Sequence, residues 1–202
     1  MYRLQQKLKA KKPAMGMMTK GGPNLVRHLA NAGIDFLIVD LMHSRMDWDE
    51  ASHICWMARA ENVYPFIRIQ AHPWGTSSKY LDRRLAVDGM RAFTAGAEGV
   101  MWSIASAEEA QALAHLAFEW HQDQAVSGPK EVEALEQRVK ETRLLIPLIE
   151  TLPVLNELEQ IMSIDGISGV FMACTDLSLH LGHPNEYEHP EVLAALDKAV
   201  RL

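Results

Sequence analysis

The chain has 202 residues, of which 48% are hydrophobic and 23% are charged, a composition typical of one folded domain and not of a disordered chain. The formal net charge is −6 and the basic residues are scattered apart from a short N-terminal run, which disfavours nucleic acid as a partner. No apolar run approaches the roughly 18 residues that span a bilayer, and no signal peptide is recognised, so we expect a cytoplasmic protein.

Apolar runs of strand length alternate along the chain with longer segments of helical periodicity, which is typical of βαβ units and a parallel sheet. The predicted strands are Ala14 to Met18, Phe36 to Asp40, Tyr64 to Ile69, Gly99 to Trp102, Leu145 to Ile149 and Gly169 to Met172. The predicted helices are at about Asn24 to Ala32, Asp47 to Ala60, Ser78 to Thr94, Ser106 to Trp120, Leu152 to Met162 and Pro190 to Val200.

Three of the predicted helices end in the same way, with a glycine and then an apolar strand. The glycines are Gly33, Gly96 and Gly166. Glycine at this place supplies the left-handed backbone conformation that a helix C-terminus needs. The repetition indicates one structural unit used many times.

These units predict an α/β fold, namely a (β/α)8 TIM barrel of which about six βα units are present. A closed barrel needs eight units and typically about 250 residues, so residues 1–202 are expected to be a single barrel domain, incomplete at the C-terminus. A polar segment at about 121–142 is predicted to be an inserted loop and helix. A doubly wound open sheet is the alternative, although the phosphate-binding glycine fingerprint is absent. Because an incomplete barrel exposes strand edges, we expect a homo-oligomer or a fuller natural chain.

Polar residues follow four of the predicted strands at the point where each strand ends, which is the end of a barrel that carries the chemistry. Asp40 ends the second strand with His43 shortly after it, and the third strand carries Arg68. Glu150 follows the fifth strand, and Cys174-Thr175-Asp176 follows the sixth. We therefore expect these side chains to converge on one rim.

Glu150 and Asp176 are the candidate metal ligands, because they would lie on neighbouring strand ends. Two carboxylates that close repel each other unless a cation lies between them, and oxygen ligands suit Mg²⁺ or Mn²⁺. The alternative for each acid is to cap the following helix. Arg68 could bind an anionic oxygen or form an ion pair with Asp40, and His43 could transfer a proton.

Other polar groups give weaker indications. Lys20, followed by Gly-Gly-Pro, could hold a phosphate, which defines a phosphate-handling alternative. His180 and His183 suggest a metal motif, but the sequence shows no third ligand, so we expect no ion there. His72, Trp74 and the Trp120-His121 region are candidate pocket or interface residues.

Five segments of the chain, in this order and spacing, resemble the HpcH/HpaI family of metal-dependent pyruvate aldolases. They are Phe36-Leu-Ile-Val-Asp-Leu-Met-His43, Pro65-Phe-Ile-Arg68, Ala95-Gly-Ala-Glu-Gly-Val100, Pro147-Leu-Ile-Glu-Thr151 and Gly169-Val-Phe-Met-Ala-Cys-Thr-Asp-Leu-Ser178. The resemblance covers nearly the whole chain. It implies a carbon–carbon lyase that cleaves or forms a 4-hydroxy-2-oxo acid through a pyruvate enolate, with a 2-oxo acid and an aldehyde as its small-molecule partners.

The resemblance also assigns roles to the rim residues. It implies that Glu150 and Asp176 hold the divalent metal, Mg²⁺ or Mn²⁺ with Co²⁺ as a further option. Arg68 would steady the pyruvate oxygen, and His43 would serve proton transfer. Backbone amides around Ala173, Cys174 and Thr175 would hold the pyruvate carboxylate.

The chain departs from the family pattern at several positions. Leu41-Met42 stand where the family has Gly-Glu, and Thr94 stands where the family has an acid that partners the catalytic histidine across a subunit interface. Asp40 is expected to orient His43 or a metal-bound water. The departures define an alternative function, a non-catalytic or decarboxylating relative that binds 2-oxo acids at the same metal site.

Overall fold

The computed structural model describes residues 1–69, 81–119, 133, 137 and 141–202. In these ranges the first helices are α1 (Arg3–Lys9), α2 (Leu25–Asn31), α3 (Trp48–Ala60), α4 (Leu81–Thr94) and α5 (Ala107–Glu119). The later helices are α6 (Leu152–Asn156), α7 (Leu158–Met162), α8 (Cys174–His180) and α9 (Pro190–Arg201). The strands are β1 (Gly16–Thr19), β2 (Phe36–Asp40), β3 (Tyr64–Arg68), β4 (Gly99–Ser103), β5 (Leu144–Ile149) and β6 (Phe171–Met172).

The six strands form one parallel sheet in the order β1-β2-β3-β4-β5-β6, as the alternation of strands and helices predicts. Several element ends differ from the prediction by one or two residues, with β1 at Gly16–Thr19 and not at Ala14 to Met18, and two elements differ most. The sixth strand is confined to Phe171–Met172, and the helix predicted from Leu152 to Met162 is two short helices, because Glu157 between them adopts φ −92° and ψ 8°. The predicted insertion at about 121–142 lies largely outside the described residues, as do His72, Trp74, Trp120 and His121.

The sheet separates two hydrophobic layers, because successive side chains of a strand point to opposite faces. On the outer face, strand residues such as Val39, Ile67 and Ile149 pack against the helices. On the inner face the strands meet one another in a second cluster: Ile38, Tyr64, Phe66, Met101 and Leu148. Because side chains of β2 to β5 contact one another on this face, the sheet is curled into a half-barrel of six parallel strands. Strands β1 and β6 lie at its edges.

Helix α1, which the sequence did not predict, lies across the amino end of the half-barrel. Its Leu4 is 4% exposed and belongs to the inner cluster. The Tyr2 ring packs edge-on against Tyr64 with 5.1 Å between centroids, and Lys7 Nζ lies 2.7 Å from Oδ2 of buried Asp35. The inner face is therefore covered at this end, and its carboxyl end is the place for a site.

Glycines end the helices as predicted. Gly33, Gly96 and Gly166 have φ values of 87°, 98° and 94°, which residues with a side chain rarely adopt. Each turns the chain from a helix towards the following strand. No helix in the described ranges combines the length and hydropathy that crossing a bilayer requires.

Candidate metal and substrate site

Polar side chains replace apolar ones at the carboxyl end of the inner face. Asp40 and Arg68 are register partners at the ends of β2 and β3, Ser103 ends β4, and Glu150 follows β5. Each stands two residues after a member of the inner cluster and therefore shares its face: Ile38, Phe66, Met101 and Leu148. All four polar residues are at most 7% exposed, so one buried polar layer lies directly above the apolar interior.

Arg68 lies between two carboxylates in this layer. Its Nη2 is 3.4 Å from Oε1 of Glu150, and its Nη1 is 3.9 Å from Oδ2 of Asp40. The ion pair expected as the alternative for Arg68 is therefore present, and it is shared between two acids. Among the described residues, Oδ2 of Asp40 and Nε of Arg68 are buried without a hydrogen-bond partner.

Glu150 carries the clearest electrostatic signature of the site. Burial raises the pKa of its carboxyl group above the ordinary value of 4.5, and the charge of Asp176 raises it further, while the Ser103 hydroxyl, Arg68 and His43 act in the opposite direction. The interaction with Asp176 means that the two predicted metal ligands lie within electrostatic range of each other. A divalent cation would offset this excess of negative charge, so the donor set fits a hard metal ion.

The helix-capping alternative for the two acids is not what the structure has. Thr151 is the N-cap of α6 and Ala173 is the N-cap of α8, and neither helix has a side-chain cap hydrogen bond. Asp176 is a half-buried residue within the first turn of α8. Neither carboxylate therefore caps the helix that follows it.

Asp40 shapes the turn that carries His43. Its Oδ1 accepts backbone N–H groups from Met42 at 3.0 Å and from His43 at 3.1 Å. The contact therefore orients His43 through its backbone. The His43 side chain is exposed, and its charge lowers the pKa of Glu150.

The N-terminus of α8 contains the residues expected to bind a carboxylate. The Ala173 amide donates to the Ile149 carbonyl at 3.1 Å, so it is engaged in the sheet. Cys174 and Thr175 stand in the first turn, where backbone N–H groups have no partner within the helix. The Cys174 thiol donates to the Met172 carbonyl at 3.4 Å.

Two residues of this rim were missed in the sequence. Ser103 stands two residues after Met101 on the inner face, and strand parity could have identified it. Tyr187, in the loop after α8, has its hydroxyl 3.2 Å from the Thr175 hydroxyl. No spacing in the sequence indicates this contact. Lys20, the basis of the phosphate alternative, is exposed after β1.

Comparison with known proteins shows the family of the chain. The family model described as HpcH/HpaI aldolase/citrate lyase matches residues 18–202. The chain belongs to this HpcH/HpaI family. The match includes every rim residue from Asp40 to Asp176, and it confirms the resemblance seen in the sequence motifs.

Individual relatives of this HpcH/HpaI chain have low sequence identity to it but match most of its length. A hydroxypyruvate/pyruvate aldolase of Rhizorhabdus wittichii is 28% identical over 194 residues, covering 92% of this chain and 72% of the relative. A 4-hydroxy-2-oxo-heptane-1,7-dioate aldolase of Klebsiella pneumoniae is 27% identical over 192 residues, covering 86% and 64%. The crystal structure of an HpcH/HpaI aldolase from Desulfitobacterium hafniense superposes with a TM-score of 0.81 at 25% identity, covering 100% of this chain and 77% of that one.

Proposed function

We propose that this chain is a divalent-metal-dependent pyruvate aldolase, a carbon–carbon lyase that cleaves or forms a 4-hydroxy-2-oxo acid. The observation that supports it most is the buried Glu150 carboxylate beside Arg68, whose pKa is raised by burial and by the charge of Asp176. Such a group is poised to bind a cation. The aldolase names of the family relatives supply the reaction class.

Glu150 and Asp176 would hold the ion. Carboxylate oxygens favour Mg²⁺ or Mn²⁺, with Co²⁺ as a further option. When bound, the ion would supply positive charge that stabilises the negative charge developing on the oxygen of a 2-oxo acid.

The remaining roles fall to the other side chains of the rim. Arg68, a permanent cation held between Asp40 and Glu150, would donate hydrogen bonds to the substrate's oxo oxygen. The amides of Cys174 and Thr175 would receive the carboxylate, with Ala173 as the N-cap that sets their direction. His43 would move a proton to or from the hydroxyl group of the substrate, because imidazole titrates near neutral pH.

The assembly and location of the protein are part of the proposal. The half-barrel would belong to a (β/α)8 barrel, in a single domain with an inserted segment at about 121–142, and the protein would be a cytoplasmic homo-oligomer. Exposed apolar side chains near the β1 edge support association: Met15 is 59% and Met17 is 44% exposed. A native mass equal to one chain would contradict the oligomer.

Pyruvate release tests the proposed activity. Purified protein, stripped with EDTA and resupplied with Mg²⁺ or Mn²⁺, is expected to release pyruvate from a panel of 4-hydroxy-2-oxo acids, read by coupling to lactate dehydrogenase. Pyruvate from oxaloacetate but from none of the hydroxy-oxo acids would identify a decarboxylating relative. Turnover that is equal with and without EDTA would contradict metal dependence.

A further inference from the structure

A second group of metal-binding side chains lies outside the proposed active site, in the loop that joins α8 to α9. His183, Glu186 and His189 each offer one ligand atom, and these atoms all lie within 4.8 Å of one another. Among the described residues this is the one group of three or more His, Cys, Asp or Glu side chains that converges so closely. Glu150 and Asp176 do not belong to it, so it requires a separate explanation.

The backbone of the loop accounts for the convergence. The Glu186 amide donates to the His183 carbonyl, and the His189 amide donates to the Glu186 carbonyl, both at 3.0 Å. Two successive turns with this spacing, the first with Asn185 at φ 64°, bring residues three apart close to one another. A spacing of three residues in the sequence thus becomes one cluster in space.

The loop is fixed to the helix before it. The Ser178 hydroxyl accepts the Asn185 amide at 3.1 Å, and the Ser178 carbonyl accepts the His183 amide at 2.8 Å. Ser178 is fully buried. The two histidines and the glutamate are therefore presented by an ordered backbone, which reduces the entropy lost when a ligand binds.

The two imidazole rings are stacked, with 3.3 Å between centroids and 18° between planes. Because each nitrogen lone pair lies in the plane of its ring, one ring, that of His189, must turn out of the stack before both can bind one ion. His183 Nε2 lies 3.3 Å from a carboxylate oxygen of Glu191, an arrangement that fixes the ring and leaves Nδ1 for coordination. His189 Nδ1 accepts the Glu191 amide at 3.3 Å, so Nε2 carries the proton of the neutral ring. Coordination through Nε2 would move that proton to Nδ1 and break this contact, which is long for a hydrogen bond.

We propose that His183, Glu186 and His189 form a second divalent-metal site that takes a borderline ion such as Zn²⁺. Two imidazoles and one carboxylate suit Zn²⁺ better than Mg²⁺, which favours oxygen ligands alone. The proposal is independent of the aldolase activity, since none of its residues lies at the Glu150 rim. It also replaces the expectation from the sequence, which paired His183 with His180 and found no third ligand.

Zinc stoichiometry tests the second site. The test protein carries Glu150→Gln and Asp176→Asn, so that ions at the proposed active site do not contribute. After equilibrium dialysis against Zn²⁺, elemental analysis is expected to find one equivalent bound. Adding His183→Gln and His189→Asn is expected to remove that equivalent, and Asn at position 189 keeps an acceptor for the α9 N-terminus.

A matched control and a second readout keep the outcome clear. His28→Gln, a change at an exposed histidine on α2, should leave the zinc content unchanged. X-ray absorption of the zinc-loaded test protein without the histidine changes should show imidazole nitrogens at about 2.0–2.1 Å. No bound zinc, or zinc retained after both histidine substitutions, would overturn the proposal.

Discussion

The guanidinium of Arg68 lies 3.4 Å from Oε1 of Glu150, and both residues are almost fully buried, at 7% and 3% exposed. Asp40 approaches the same guanidinium from the other side at 3.9 Å, and Asp176 acts on Glu150 from the neighbouring strand end. One permanent cation, paired with Asp40 and Glu150, thus stands beside a group of three carboxylates. Buried charges stabilise a fold only when they are balanced, and this imbalance is what a divalent cation would correct.

Arg68→Met should destabilise the protein most when metal is absent. The substitution leaves Glu150 and Asp40 buried without their cation, which costs about 3–5 kcal/mol of unfolding free energy. Urea denaturation in EDTA and in Mg²⁺ measures this, with partial recovery expected in Mg²⁺. Arg27→Met, which removes an exposed ion pair with Glu61, is the control and should cost less than about 1 kcal/mol. Equal losses in the two variants would contradict the buried network.

Asp40→Asn and Asp40→Ala should differ. The asparagine keeps a side-chain oxygen that can accept the Met42 and His43 amides, so the turn should persist. The alanine leaves both amides without that acceptor, at about 1–3 kcal/mol each where water does not replace it. Denaturation together with kcat should therefore rank wild type, Asn and Ala in falling order. Identical stability and kcat for Asn and Ala would show that the backbone contacts are unimportant.

The ion pair between Lys7 on α1 and Asp35, just before β2, should make stability depend on acid pH. Burial alone would raise the pKa of Asp35, but hydrogen bonds from Lys7 and the Met15 amide, with the charges of Lys7 and Arg3, hold that pKa below its ordinary value of 3.8. A lowered pKa stabilises the fold above the ordinary value, and this contribution is lost as pH falls through the folded-state pKa.

Lys7→Met should therefore lower the free energy of unfolding by up to about 1 kcal/mol at pH 7. The difference from wild type should shrink as the pH falls from about 4 towards 2. Lys9→Met, a change on the same helix at an exposed residue, is the control and should be nearly neutral. A difference between Lys7→Met and wild type that stays constant with pH would contradict the assignment to Asp35.

Gly99→Ala should destabilise the start of β4. An added Cβ would collide with the Phe66 ring and lie 2.8 Å from the Leu144 carbonyl oxygen of the neighbouring strand. Overpacking of this kind costs about 1–3 kcal/mol. At Gly21 an added Cβ would meet no described atom within 4 Å, so Gly21→Ala should be close to neutral. Equal melting temperatures for the two variants would contradict the close packing of β3, β4 and β5.

The features that depend on local pattern were predictable from the sequence. The alternation of apolar residues located the strands, and the rule that barrel chemistry follows strand ends brought Asp40, Arg68 and Glu150 together. Left-handed glycines at the helix ends were predictable for the same reason, since a C-terminal turn is a local structure. The family resemblance supplied the aldolase chemistry, which the local pattern alone did not.

The features that depend on distant contacts were not predictable. Helix α1 contacts Tyr64 and Asp35, which lie far along the chain. Its residues are good helix formers, but seven residues are too few to form a stable helix without such contacts. The contact between Tyr187 and Thr175 and the cluster at His183 require turns whose hydrogen bonds the sequence does not display. Tertiary packing decided these elements.

The most direct measurement of the central claim is pyruvate release by EDTA-stripped protein as Mn²⁺ is added back. Wild type and Asp165→Asn, a change at an exposed acid after α7, should recover turnover of a 4-hydroxy-2-oxo acid. Glu150→Gln and Asp176→Asn should each remain lower by more than about 100-fold, since residues that merely support a ligand cost about 10–100-fold. Wild-type turnover in either variant would contradict a metal held by Glu150 and Asp176.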